Sequence, residues 1–200
     1  MLTYPIRIGL LIFVSLVLSM GAQTVCAESI MPGDSLSLVD WTPKRGDRFI
    51  ADTKENIGYL LHDNGEYISF RIATGQKRVV RYIGRTYDAR TPERVWAARE
   101  KQTKGDRITF GPEGTFLRLF TDNVHTPYGI HSHRSISAML TDTERYKSMG
   151  CILVSKEILD IIVQTFELSG KDLPVRTVFG IDKLQGDPAV ANDVGERRES

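Results

Sequence analysis

A chain of 200 residues suits one ordinary domain with appendages, and its 41% hydrophobic and 26% charged content fits a globular core rather than a disordered or fibrous chain. The 26 Lys and Arg stand against 25 Asp and Glu, so the formal net charge of +1 lacks the basic excess that a phosphate backbone requires, and nucleic acid is not an expected partner.

The first 27 residues read as a secretory signal outside the fold. Arg7 is their only charge, Ile8 to Met20 is an apolar run, and Val25-Cys26-Ala27 offers a cleavage site before Glu28. The run falls short of the ~20 apolar residues of a membrane-spanning helix, so membrane contact is expected only through this segment if it stays uncleaved. Cleavage after Ala27 removes Cys26 and leaves Cys151 as the lone cysteine of an exported chain. Such a thiol is buried and inert, paired between chains, or kept reactive.

Residues 28–46 mix Pro, Gly and Ser without a sustained period and read as a leader or wrapping segment. Strands are predicted over 48–52 and 57–62. The turn residues Asp63-Asn64-Gly65 then join the second of these to a strand at 67–72 as a hairpin. Further strands are expected at 79–83, 95–98, 106–110 and 115–120, a spacing that suggests a sandwich or barrel-like β domain. Tyr128 to His133 reads as another strand, placing Tyr128, Ile130 and Ser132 on one face and His131 and His133 on the other. One long helix is clear: Ser155 caps it, Ile158, Leu159, Ile162, Val163 and Phe166 recur at helical spacing, and Gly170 and Pro174 mark its end. A closing strand at 175–179 follows, and a polar tail runs over 184–200.

Chemistry concentrates around two imidazoles and a thiol. Gly150, beside Cys151, allows close approach of a substrate and leaves neighbouring amides as oxyanion donors. A thiol near an imidazole suits acyl transfer through a thioester. His131, His133 and Cys151 find no convincing fourth ligand for zinc, so no metal is expected, and acyl transfer by a cysteine needs no organic cofactor. His62 and His125 lie beside turn-like residues and read as surface groups, and Phe110, Tyr128 and Tyr146 read as packing, with Tyr128 close enough in sequence to line a cleft. Arg134, Arg145 and Lys147 read as a solvated rim.

Gly129-Ile130-His131, followed after sixteen intervening residues by Ser148 and then by Gly150 and Cys151, resembles the catalytic signature of the L,D-transpeptidases (YkuD type). Tyr59 to Gly75, Thr91-Pro92 and Cys151 to Phe166 resemble further parts of that family, so that about 47–183 is similar to its catalytic domain. The sequence departs from the pattern at Met149, where a histidine is usual, at Leu153, where an arginine or asparagine is usual, and at Arg94, where a glycine is usual. The resemblance implies a mainly β fold carrying one long helix after the nucleophile motif. It implies Cys151 as nucleophile, His131 as general base and then acid, and Ser132 as an orienting residue acting through its backbone carbonyl. Gly150 and Cys151 become oxyanion donors and Ser148 a residue of loop geometry, while Tyr128, Gly129 and His133 fall at the substrate cleft, His133 as a stand-in for the histidine absent at 149. The implied partners are peptidoglycan stem peptides and carbapenem-type inhibitors, and Arg134, Arg145 and Lys147 become candidates for stem carboxylates. The implied setting is the periplasm or cell wall, in wall biogenesis and cell shape. Two other readings stay open: an inactive wall-binding module of the same fold, and a cysteine hydrolase of other specificity.

Overall fold

The computed structural model describes residues 35–82 and 84–182. The secretory signal at 1–27, the first part of the leader, Ile83 of one predicted strand and the polar tail lie outside the described residues.

The chain opens with β1 (Arg48–Asp52), β2 (Ile57–Leu61) and β3 (Tyr67–Arg71). β2 and β3 form the expected hairpin, whose turn closes through Gly65 at φ +92° and the Gly65 amide on the His62 carbonyl. The short β4 (Thr74–Gly75) precedes a separate two-stranded arm of β5 (Val79–Tyr82) and β6 (Arg85–Asp88). Then come β7 (Arg94–Thr103), β8 (Thr115–Thr121), β9 (Val124–His131) and a short helix α1 (Ile136–Thr141). The chain continues through β10 (Tyr146–Ser148), β11 (Ile152–Leu153), α2 (Lys156–Leu168) and β12 (Leu173–Val178).

Eight strands form one sheet in the order β11-β9-β8-β7-β12-β1-β2-β3, so the last strand inserts between the first and the seventh, parallel to β1 and antiparallel to β7. The mainly β architecture with one long helix after Cys151 is as predicted. That helix starts where the Ser155 side chain accepts the Ile158 amide, and it ends in a Schellman turn. There the Lys171 amide reaches the Phe166 carbonyl and the Gly170 amide reaches Glu167, with Gly170 at φ +68°.

Ile158, Leu159, Ile162 and Phe166 of α2 pack on one sheet face, against Phe49, Leu60, Trp96, Leu117, Ile130 and Ile152. Alternation along β9 and β11 puts Gly129, His131 and Leu153 on the opposite face. Trp41 of the leader segment is buried in the main core, and Ser35 bridges to Tyr67, covering the edge of β3.

Two expectations are corrected. Residues 106–110 are a turn, not a strand: the Asp106 carboxylate accepts the Ile108 and Thr109 amides at 3.0 and 3.1 Å, and the Phe110 amide folds back onto the Asp106 carbonyl. His62 is not a surface residue. It is 3% exposed, stacks on Trp41 with ring centroids 3.8 Å apart, and places Nδ1 2.6 Å from Asp47 Oδ1.

Candidate active site

Cys151 lies just before β11, whose Ile152 pairs in parallel with Ile130 of β9. The thiol residue is therefore brought opposite Gly129, and His131 follows two positions on along the same face. A Cβ on Gly129 would fall 2.2 Å from the Phe116 ring and 2.7 Å from the Leu117 carbonyl, so only glycine fits this floor. The Leu153–His131 pairing and the Val154 amide on the His131 carbonyl hold the two strands in register.

His131 is buried, with its ring against Phe110 at 4.9 Å and Phe116 at 5.7 Å between centroids. Its Nδ1 lies 2.6 Å from the Ser132 carbonyl. A carbonyl oxygen only accepts, so Nδ1 carries the proton and Nε2 keeps its lone pair. Burial presses the imidazole down to about 4, against the opposing pull of the Ser132 and Thr109 carbonyls. Burial likewise pushes the Cys151 thiol up to about 11, offset in part by the Gly129 amide and the Arg118 guanidinium. At neutral pH the resting pair is thiol and neutral imidazole.

The loop before the thiol is held from inside. Ser148 Oγ donates to the Cys151 carbonyl at 2.6 Å and accepts the Gly150 amide at 3.1 Å. The Gly150 amide, one of the two expected oxyanion donors, is thus engaged within the loop. Gly150 itself sits at φ +113°, and a Cβ there would stand 2.6 Å from Tyr128 Cε1. Tyr128 is half-buried, packs edge-on to Trp96, and lines a groove of about 540 Å³ together with Thr91, Arg90, Asp88 and Lys77.

Other candidates have local partners. β9 ends at His131, so the predicted alternation stops there, and His133 Nδ1 accepts the Ser135 amide at the turn into α1. Lys147 pairs with Asp142 at 2.7 Å, and Arg145 donates to the Glu55 carbonyl at 2.6 Å. Among the described residues no three His, Cys, Asp or Glu side chains gather as a metal-binding group. Sequence reasoning missed the contact of Phe110 with His131 and the Gln76 side chain on Met149; the glycine-punctuated loop around Phe110 was the available signal for the first.

No family model and no curated protein sequence matches the chain. Solved structures do. The L,D-transpeptidase (residues 123–326) of Xylanimonas cellulosilytica is 18% identical with a TM-score of 0.51, over 69% of this chain and 63% of that one. Bd1075 of Bdellovibrio bacteriovorus is 11% identical with a TM-score of 0.50, over 82% of this chain and 60% of the other. The chain has the L,D-transpeptidase fold. It spans about three fifths of the length of these two structures.

Within the L,D-transpeptidase fold the two departures near the thiol have their own packing. Met149 Sδ takes the Gln76 side-chain amide at 3.5 Å, and the Gln76 backbone amide bonds the Ser148 carbonyl. Leu153 is buried with Ala73 and Ile136, Cys151 packing against them, and a reciprocal pair of backbone bonds joins Leu153 to Ala73 at 2.7 and 2.9 Å. Arg94, where the third departure falls, lays its guanidinium 5.5 Å from the Trp96 ring.

Proposed function

We propose that this protein is an exported L,D-transpeptidase that remodels peptidoglycan by acyl transfer through a Cys151 thioester. One arrangement carries the reading: Cys151 stands opposite Gly129 on the sheet face that also bears His131, whose Nδ1–H is held by the Ser132 carbonyl so that Nε2 remains to take a proton.

The chemistry follows from the resting protonation states. Because thiol and imidazole are both neutral, the thiol proton passes to His131 as sulfur attacks the carbonyl carbon of the diamino-acid residue in a stem tetrapeptide. The Cys151 amide stabilises the resulting oxyanion. Collapse breaks the peptide bond, the terminal D-alanine leaves as an amine carrying the His131 proton, and a thioester remains. An amine of a second stem then attacks, gives a proton to His131, and expels the sulfur, which is reprotonated. Water in place of that amine makes the same site a carboxypeptidase. Export through the segment 1–27 would deliver the domain to its substrate in the periplasm or cell wall.

A second reading, an inactive wall-binding module of the same fold, is favoured by one observation: the thiol is held up at about 11, so no thiolate waits in the resting site. Intact mass after incubation with a carbapenem separates the two. The transpeptidase reading expects a stable adduct on the parent protein, absent from Cys151→Ala and slowed in His131→Ala. Folded parent protein that stays unmodified overturns it in favour of the binding module, and adduct formation without turnover of muropeptides points to a cysteine hydrolase of other specificity.

A further inference from the structure

Thr91 lies between the nucleophile loop and β4, and its buried hydroxyl makes one bond in each direction. It accepts the Gly75 amide at 2.8 Å and donates to the Gly150 carbonyl at 3.0 Å. Gly75 makes the approach feasible. A Cβ on Gly75 would stand 2.1 Å from the Ala89 carbonyl and 2.5 Å from the Thr91 nitrogen, so a larger residue would push the 89–91 segment away.

The bonded Gly150 carbonyl belongs to the same peptide unit as the Cys151 amide. That unit is planar and trans, so its C=O and N–H point in opposite directions. Fixing the carbonyl on Thr91 therefore fixes the direction in which the Cys151 N–H points. Ser148 has already taken the preceding amide, that of Gly150. The Cys151 N–H is the donor that this loop retains for an oxyanion.

We propose that Thr91 is a positioning residue for acyl transfer: its hydroxyl, anchored by the Gly75 amide, aims the Cys151 N–H at the oxyanion. The inference rests on the transpeptidase reading above. It gives Thr91 a role in the transition state, not in the binding of substrate or in the reactivity of the thiol.

The test compares Thr91→Val, which keeps shape and removes the hydroxyl, with Thr91→Ser, which keeps the hydroxyl. Acylation by a carbapenem is followed by stopped-flow absorbance, separating the bimolecular encounter from the acylation step. Alkylation by iodoacetamide, which passes through no oxyanion, is followed in parallel. Thr91→Val is expected to slow the acylation step roughly 10- to 100-fold, short of the 10²–10³ lost when an oxyanion donor is deleted outright. The encounter constant and the alkylation rate should hold, and Thr91→Ser should restore acylation. Acylation by Thr91→Val at the parent rate overturns the inference and leaves the transpeptidase reading intact. A parallel fall in acylation and alkylation also overturns it, since that marks a general disturbance of the loop. If Thr91→Val does not fold, Thr91→Ala is put through the same comparison, and loss of fold in both makes Thr91 structural and rejects the assignment. A parent protein that is never acylated overturns the functional reading itself, and the positioning role with it.

Discussion

Ser148 and Cys151 close the nucleophile loop on itself: the serine hydroxyl donates to the cysteine carbonyl at 2.6 Å while accepting the amide of the glycine between them at 3.1 Å. Each bond satisfies a backbone group that the short β10 and β11 leave unpaired. Ser148→Ala should strand both, at a cost of about 1–3 kcal/mol for each buried group left unsatisfied. The freed Gly150 amide would turn away from its present direction. Urea midpoints should fall, and carbapenem acylation should slow more than iodoacetamide alkylation does.

The protonation states of the pair predict an unusual pH profile. With His131 held at about 4, base function persists well below the ordinary imidazole value of 6.5, so the acid limb of acylation should fall near 4. With the thiol at about 11, alkylation should keep rising with pH beyond the ~8.5 of a free cysteine and level only as pH approaches 11. An alkylation plateau below pH 8 would contradict the neutral resting pair.

The same imidazole links stability to acid. Its folded pKa lies below its unfolded one, so the unfolded chain binds more protons as pH falls. The stabilising contribution is complete above about 6.5 and is lost as pH descends through about 4. By the conversion of 1.36 kcal/mol per unit, the full change is on the order of 3 kcal/mol. Denaturant titrations at pH 7 and pH 4 should show the parent protein losing more stability between those conditions than His131→Gln. Equal losses would show that the buried imidazole does not titrate as described.

Away from the site, the Asp47–His62 pair holds the leader segment onto the β2–β3 turn under the Trp41 ring. Both side chains are almost fully buried, and burial raises the Asp47 carboxyl above its ordinary range, against the pull of His62. His62→Ala leaves the Asp47 carboxyl short of a buried hydrogen bond, with the Lys44 amide as its remaining partner, at a cost of about 1–3 kcal/mol. The variant should therefore lower the unfolding free energy by about that amount, while the folded fraction acylates at the parent rate. A loss below about 1 kcal/mol, the range of exposed pairs, would show that the contact is solvated in solution.

What the sequence made legible follows the range of each signal. The cap at Ser155, the apolar stripe from Ile158 to Phe166 and the stop at Gly170 all act within a few residues of one another, and α2 forms where they place it. The alternation from Tyr128 marked the second half of β9 for the same reason, but it ran on to His133 where the strand ends at His131. The Asp106 side chain defeated the strand pattern at 106–110 because two local amides on one carboxylate outweigh a short apolar alternation. β4, β10 and β11, at two or three residues each, are too brief for any period to register. His62 was misread because what buries it, Trp41 and Asp47, comes from a segment with no pattern of its own, fifteen or more residues upstream. The hydroxyl of Thr91 bridges sixteen residues back to Gly75 and fifty-nine forward to Gly150, distances over which spacing carries no information.

Gly150 carries two separable constraints, and a pair of variants distinguishes them. Its φ of +113° lies where side chains are strained, and a Cβ would stand 2.6 Å from Tyr128 Cε1. Gly150→Ala should displace the loop or the Tyr128 ring and slow acylation steeply. Adding Tyr128→Ala removes the ring from the path of the new methyl group but leaves the backbone strain in place. The double variant should therefore recover part of the lost acylation rate, and the part not recovered measures the left-handed conformation. Tyr128→Ala alone should cost stability, since it empties the edge-on contact with Trp96. A double variant no faster than Gly150→Ala would assign the whole effect to the backbone, and full recovery would assign it to the ring.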